Sequence, residues 1–463
     1  MNTPLLINIV YLISSVLFIY GIKKLGSPKT ARQGNFLSAL GMLLAVAFTL
    51  LDKHIFSFEY ILAGLLIGSA IGVIFATKVE MTAMPQMVGL LNGFGGAASA
   101  LVGLAEYLKF DAIPGDISAK IAITIGLSIF IGAVTFTGSL VAYGKLQGIV
   151  SGNSVQYPMQ HPINGLLIVG VLVSMIFMVL YPHDNTYVWL ILNISLILGI
   201  LLVIPIGGAD MPVAISLLNS YSGLAGAATG FVLDNNMLII AGALVGASGI
   251  ILTNIMCKAM NRSLMSVVLG GFGATSSGPS NVAKKDVTVK SVDSEEAAMI
   301  FDSASSVIIV PGYGMAVAQA QHAVKDLMDI LTKKGITVRF AIHPVAGRMP
   351  GHMNILLAES NIPYEYMLAL EDINEDFRNT DVSLVIGAND VVNPAARHDT
   401  SSPVYGMPIL NVDYGKTTII IKRSMAAGYA GIDNELFYLP NSLMYFGDAK
   451  EAVTKLNNAL KAL

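Results

Sequence analysis

The chain predicts two unlike parts: a polytopic all-α membrane domain of about nine transmembrane helices, then an α/β domain with a doubly wound parallel sheet. Three observations carry this. Charge is scarce, 12% of 463 residues, and lopsided: residues 1–262 hold 11 of the 27 Lys and Arg and 9 of the 30 Asp and Glu. Long apolar stretches recur through that first part. Beyond it, short β-branched runs alternate with amphipathic stretches. The boundaries read as 1–262 for the membrane domain, 263–300 for a hinge, and 301–463 for the α/β domain.

A helix needs about 20 apolar residues to cross the hydrocarbon core. Spans fall near 4–22, 34–51, 58–77, 84–108, 121–143, 165–181, 187–206, 211–233 and 237–257. The first is no cleavable leader, because Lys23 and Lys24 follow it rather than precede it. With the loop after it placed inside, Lys23, Lys24, Lys29, Arg32, Lys78, Lys145, Lys258 and Arg262 are cytoplasmic. Only Lys53, Lys109 and Lys120 are then outside, as the positive-inside rule requires. The C-terminal part is then cytoplasmic.

Small residues crowd several spans: Gly64, Gly68 and Gly72; Gly93, Gly95 and Gly96; Gly223, Gly226 and Gly230. Their plain reading is close helix packing in lipid. Gly93-Phe94-Gly95-Gly96 is no phosphate loop, since it lies inside an apolar span with no strand before it. Polar residues at membrane depth carry more information, because each needs a partner or a pathway. The hydroxyls of Thr135, Thr137 and Ser139 can bond the preceding turn. Asn92 and Asn219 have more groups to satisfy, and a hydrated path between helices accounts for both. Asp210 stands at the cytoplasmic mouth of the eighth span. No Lys, Arg, Asp or Glu lies in mid-span.

A net charge of −3 argues against a nucleic-acid partner. The one cysteine, Cys257, excludes a disulfide framework and a cysteine metal site, and its expected role is packing. No metal-ligand cluster and no nucleophile–base pair is evident. Residues 263–300 read as a linker, glycine-rich from Gly270 to Gly278 and polar after that.

In the C-terminal part, strands are expected at Val307–Val310, Thr337–Ile342, Val382–Ile386, Ile409–Val412 and Thr418–Ile421, with another near Tyr364–Leu370. One helix after Gly314 carries Val317, Ala320, Val324, Leu327 and Leu331 and stops at Lys333, Lys334 and Gly335. A closing helix starts near Asp448, with Glu451 placed for a capping box. The first strand runs into Pro311-Gly312-Tyr313-Gly314-Met315-Ala316-Val317, where two glycines open the way into a helix. That is the form of a dinucleotide turn, with Val317 where a third glycine or alanine is usual. The same residues imitate a potassium-filter signature, but a filter lies in a membrane pore. The acid expected about 20 residues later for a ribose 2′-hydroxyl is missing. His343 ends the second strand instead, with Arg339 before it. Lys422-Arg423-Ser424 follow the last expected strand and suit a phosphate dianion. A solvated strand end is the plainer reading of that pair, but together these features point to NADP(H).

These segments resemble the β subunit of the proton-translocating NAD(P) transhydrogenases, over essentially the whole chain. The likeness is carried by Gly207-Gly208-Ala209-Asp210-Met211-Pro212, Leu218-Asn219-Ser220-Tyr221-Ser222-Gly223 and Lys258-Ala259-Met260-Asn261-Arg262-Ser263. The second part adds Pro311 to Gln321, His343-Pro344-Val345-Ala346-Gly347-Arg348, Gly387-Ala388-Asn389-Asp390, Lys422-Arg423-Ser424-Met425 and Gly428-Tyr429-Ala430-Gly431.

The resemblance implies a Rossmann-like domain that binds NADP(H) and a membrane domain that conducts protons. It implies an α subunit carrying NAD(H), a dimer of α–β units, and a bacterial inner membrane with the C-terminal domain in the cytoplasm. Hydride would pass directly between nicotinamides, with no catalytic side chain and no metal, while inward proton flow drives reduction of NADP⁺. By the same likeness Gly312, Tyr313, Gly314, Met315, Ala316 and Val317 line the dinucleotide. Lys422, Arg423 and Ser424 hold its 2′-phosphate, and Gly387, Ala388, Asn389 and Asp390 stand near the cofactor. Tyr429 belongs to a loop that closes over it. His343 and Arg348 form a mobile loop facing the membrane, and Asp210, Asn219 and Arg262 are coupling positions. Some members carry a protonatable histidine where this chain has Asn92. Asparagine does not titrate, so Asn92 is expected to bind water in the path, with the charge carried by a residue of the partner subunit. The rival reading is a channel or transporter gated by a dinucleotide-sensing domain. It would call for a midplane site and repeated halves, and the sequence displays neither.

Overall fold

The computed structural model describes residues 3–51, 58–111, 118–261, 263–268, 289–349, 351–402, 404–425 and 433–463. Among the candidate site residues, Arg262 and Tyr429 lie outside them, as do Lys53, most of the glycine-rich join, and the Gly428–Gly431 motif. The chain forms two compact units. The first reaches to Thr253, and the second holds Asn254–Ser266 and the C-terminal sheet.

Among the described residues, nine long helices build the first part: α1 (Thr3–Leu25), α2 (Pro28–Thr49), α3 (Phe58–Lys78), α4 (Met84–Asp111), α5 (Ala119–Gln147), α6 (Gln160–Leu180), α7 (Asn185–Val203), α8 (Met211–Val232) and α9 (Asn236–Ala259). Each falls on an expected span. Seven are long and apolar enough to cross a membrane, and α2 and α8 are not among them. The reason in α8 is visible: its polar residues Asn219 to Ser222 sit in a helix enclosed by others, with 13 of 22 residues buried. A helix shielded from lipid can carry amides and hydroxyls that an outer helix cannot. α5 is the other enclosed helix, packed on α4, α6, α7 and α8.

Glycines bring these helices together. An added Cβ on Gly132 would lie 2.6 Å from the Gly96 carbonyl, and one on Gly223 would lie 2.3 Å from the Gly246 nitrogen. Gly64, Gly68 and Gly72 show no such contact among the described residues: helix α3 buries no residue, and nothing described lies within 4 Å of a Cβ at any of the three. Cys257 is buried, consistent with a packing role.

After α10 (Leu264–Val268), the second unit resumes at Val289 and forms α11 (Ser294–Asp302), which begins within the stretch expected to be linker and runs past its end at residue 300. Asp293 caps it, accepting from the Glu295 and Glu296 amides, and Glu296 completes a capping box. Then follow β1 (Ser306–Pro311), α12 (Tyr313–Val317), α13 (Gln321–Lys333), β2 (Thr337–Ile342), α14 (His352–Glu359), β3 (Met367–Ala369), α15 (Leu370–Ile373), β4 (Val382–Ile386), α16 (Ala395–His398), β5 (Thr417–Lys422), β6 (Ser442–Phe446) and α17 (Ala449–Ala462). The sheet is wholly parallel, in the order β3-β2-β1-β4-β5-β6. This is the doubly wound, Rossmann-like arrangement whose strand order reverses between β1 and β4. All five β4 residues are buried, as in a sheet covered on both faces.

Four expectations need correction. Ile409–Val412 is no strand: Leu410 and Val412 are apolar because the crossover from β4 to β5 buries them under the sheet. Leu410 N–H bonds the Val391 carbonyl rather than a neighbouring strand. β6 went unforeseen, and the 290–292 segment covers its outer edge through Met444. The helix after Gly314 is two helices, broken at 318–320, and the second stops at left-handed Gly335. Asp448 caps α17 by accepting from the Lys450 amide, without the box expected with Glu451.

Candidate dinucleotide site and membrane seam

At the switch point the backbones of two loops cross. Gly312 N–H bonds the Ile386 carbonyl and Gly314 N–H the Gly387 carbonyl, each at 2.9 Å. Gly387 is left-handed, with φ at +65°, a conformation that favours glycine. A Cβ on Gly312 would meet the Gly387 carbonyl at 2.4 Å. Glycine at 312, 314 and 387 is thus what allows the β1 and β4 ends to touch, at the place where open α/β sheets bind ligands. Tyr313 and Gly314 are half-buried and Val317 is exposed, whereas Met315, Ala316 and Ala388 are buried and back the turn from inside.

β5 ends beside this crossing. Lys422 is half-buried, with its ammonium 4.5 Å from the centre of the Phe437 ring. Burial lowers its pKa, while Asp433 and Asp390 act against that shift. It is therefore not the solvated strand end of the plainer sequence reading. Arg423 and Ser424 are exposed next to it. Asn389 lies close by: Asn434 donates to its backbone carbonyl at 2.9 Å and to its side-chain oxygen at 3.2 Å. Asn389 also donates to Asp390 at 3.3 Å. Arg339 is engaged elsewhere, in an ion pair with Asp376.

On the β2 side, Arg348 stacks on the Tyr313 ring, 4.3 Å from its centre. His343 is 2% exposed. Its Nδ1 accepts from the Val345 amide at 3.2 Å, so Nε2 carries the proton donated to the Pro408 carbonyl at 2.7 Å. Burial pushes its pKa down to about 4. These two bonds brace the loop. Sequence reading missed His352, whose ring lies 6.1 Å from that of Tyr313. Nothing in its spacing marked it.

In the membrane part, α4, α5 and α8 share a polar seam. Asn92 donates to the Ser139 hydroxyl at 3.0 Å, and Ser222 donates to the Asn92 carbonyl at 3.2 Å. Thr135 and Thr137 bond carbonyls of the preceding turn, as expected, and Thr137 also reaches Leu196 on α7. Asn219 is half-buried one turn before Ser222, and Asp210 is half-buried just before α8.

Lys145, counted in the sequence only among the cations on the inner side, is 5% exposed. Its ammonium donates to the carbonyls of Asn153, Ile204 and Ile206 at 3.0, 2.6 and 2.8 Å. Gly208 N–H bonds the Gly152 carbonyl alongside, so Lys145 joins the segment leading to Asp210 to the loop after α5.

No group of three or more His, Cys, Asp or Glu among the described residues could hold a metal ion. The residues at the crossing do suit a dinucleotide phosphate: small residues clear the approach, and Lys422 and Arg423 supply charge. A family model of the NAD(P) transhydrogenase beta subunit matches residues 7–459. Two curated relatives from Rhodospirillum rubrum, each named NAD(P) transhydrogenase subunit beta, are 50% identical over 455 residues. The match covers 97% of this chain and 98% of each relative. The chain belongs to the NAD(P) transhydrogenase beta subunit family.

Proposed function

We propose that this chain binds NADP(H) at the β1–β4 crossing, and that its membrane helices carry protons inward as NADP⁺ is reduced by NADH held on an α subunit. The observation that supports this best is the pairing of the glycine crossing with a basic cluster at the end of β5. The usual acid after β2 is replaced by His343, which is buried, and Arg339 is committed to Asp376. A phosphorylated ribose therefore belongs at Lys422, Arg423 and Ser424. The bound dinucleotide supplies the hydride chemistry; the chain's own part is to position it and to exclude water. Asn389 and Asp390 would stand over the cofactor, and Tyr429 would close on it. Asp210, Asn219 and Arg262 would couple its state to the seam at Asn92. The reading places the chain in a bacterial inner membrane, with its second unit in the cytoplasm, in a dimer of α–β units.

The test is binding by the full chain in detergent. It should prefer NADPH to NADH, and Arg423→Ala should weaken NADPH by roughly 10- to 100-fold while leaving NADH unchanged. Equal affinity of the wild-type chain for both nucleotides would overturn the reading. Vesicles holding both subunits would then be followed for internal pH as NADPH reduces an NAD analogue.

A further inference from the structure

The loop from β2 to α14 begins with one buried histidine and ends with another, and they differ in one respect. His343 has a partner for each ring nitrogen. His352 has a partner for one. Its Nδ1 accepts the Arg348 amide at 3.0 Å, which puts the proton of the neutral ring on Nε2. Nε2 is sealed inside the protein and has no acceptor among the described residues, and the residue is 1% exposed. Burial and the Arg348 charge hold its pKa down to about 4, so the ring is neutral near pH 7. A buried N–H left without an acceptor is destabilising, and such groups are rare in folded chains.

Its surroundings indicate where the missing acceptor comes from. The ring lies against Tyr313, the residue between the two glycines of the turn, and Arg348 stacks on that same tyrosine. The loop is shaped around the imidazole: Gly347 has φ at +102°, and a Cβ there would lie 2.6 Å from Nδ1. Among the described residues, the other orphaned atoms of this unit are oxygens, on Ser383 and Ser442 in the first halves of β4 and β6, on Asn457 in α17, and on Gln321 at the start of α13, whose amide nitrogen donates to Glu359.

We propose that His352 is a further ligand-binding residue, donating its Nε2–H to an oxygen of the dinucleotide pyrophosphate where it passes Gly312 and Gly314. This rests on the NADP(H) reading above and adds to it a neutral donor on the β2 side, opposite the cationic cluster of β5. Because the ring is uncharged, it contributes a directed hydrogen bond without adding to the charge of Arg348.

Two substitutions separate the ring's nitrogens. The Asn oxygen can take the place of Nδ1, so His352→Asn keeps an acceptor for the Arg348 amide and loses the donor. The Gln amide nitrogen can take the place of Nε2, so His352→Gln keeps the donor and loses the acceptor. Titrations of the full chain in detergent would use NADPH, 2′-phospho-ADP-ribose and adenosine 2′-monophosphate. His352→Asn should raise the Kd of the first two about tenfold and leave the third unchanged, while His352→Gln stays within about threefold of wild type. If His352→Gln is the worse of the two, or if adenosine 2′-monophosphate weakens in step with NADPH, the histidine is only a brace and the assignment is wrong. Wild-type chain that binds NADH as well as NADPH would instead sink the underlying nucleotide reading, and this assignment with it.

Discussion

Gly387 and Gly314 pass so closely that a Cβ on Gly387 would lie 2.4 Å from the Gly314 Cα. Both neighbours at that point are backbone, so neither can swing aside. Gly387 also has φ at +65°, which costs any other residue about 1–2 kcal/mol before the clash is counted. Gly387→Ala should therefore separate the β1 and β4 ends. The expected outcome is a loss of NADPH affinity of at least about tenfold, with thermal unfolding of the C-terminal unit moved down by several degrees. A variant that binds NADPH normally would mean the crossing is not part of the site.

The buried histidines give the second unit an acid limit. For His343 and His352 the folded pKa is about 4, against 6.5 for an unperturbed histidine. The unfolded chain then binds more protons between those values, so stability rises with pH across that window. The contribution is complete above about pH 6.5 and is lost as pH falls through about 4. Each histidine accounts for up to about 3 kcal/mol by that arithmetic. Urea unfolding of the unit at pH 7, 5.5 and 4.5 should show the decline, and His343→Asn should reduce its slope by about half. Asp381, held down to about 2 chiefly by Lys416, adds a separate loss below about pH 3.8. A flat profile between pH 4.5 and 7 would contradict the buried, neutral state of both rings.

Much of this architecture was legible in the sequence because one-dimensional pattern and three-dimensional burial coincide in it. Each of the nine described helices falls on an expected span, seven of them apolar enough to cross a membrane, and β1, β2, β4 and β5 follow β-branched runs. The glycines of the dinucleotide turn were legible for the same reason, since the backbone approach they allow is local. Partners drawn from far along the chain were not. In the sequence Lys145 is only one of the inner-side cations, and the carbonyls that close on it lie about sixty residues away. Leu410 reads as strand because core burial, not pairing, makes it apolar. Gly64, Gly68 and Gly72 look like a packing stripe, yet no helix of the described chain lies against them. His352 carries no spacing signal at all; only the fold reveals its sealed nitrogen.

Lys145 offers a stability test of the C-terminal end of α5. Its three ammonium protons meet three carbonyls, and the C-terminal end of α5 adds a favourable dipole. Lys145→Met keeps the stem and leaves those buried carbonyls without their donor. Hydrogen bonds to a charged group contribute about 1.5–3 kcal/mol each, so the loss should be at least about 3 kcal/mol. Detergent unfolding followed by Trp189 fluorescence would report it, since Trp189 lies on α7, whose C-terminal end leads into the bonded segment. Lys145→Arg should recover part of the loss by offering donors to the same carbonyls. An unchanged midpoint for Lys145→Met would show that water replaces the ammonium.

Asn92 bears on the proposed proton route. Its side chain links α4 to Ser139 on α5, and its carbonyl holds Ser222 on α8. Asparagine can order water but cannot release a proton, so on the reading above the charge is carried by the partner subunit. Asn92→Ala should leave NADPH binding intact, because Asn92 belongs to the first unit and the nucleotide to the second. It should lower proton uptake by vesicles holding both subunits at least about tenfold. Asn92→His would place a titratable group in the seam, and the rate should then acquire a pH dependence near 6.5, moved lower if the ring is shielded from water. If pumping by Asn92→Ala matches wild type, water held at Asn92 is not on the path. If Asn92→His shows no new titration, the seam is too dry to pass a proton and the route lies between other helices.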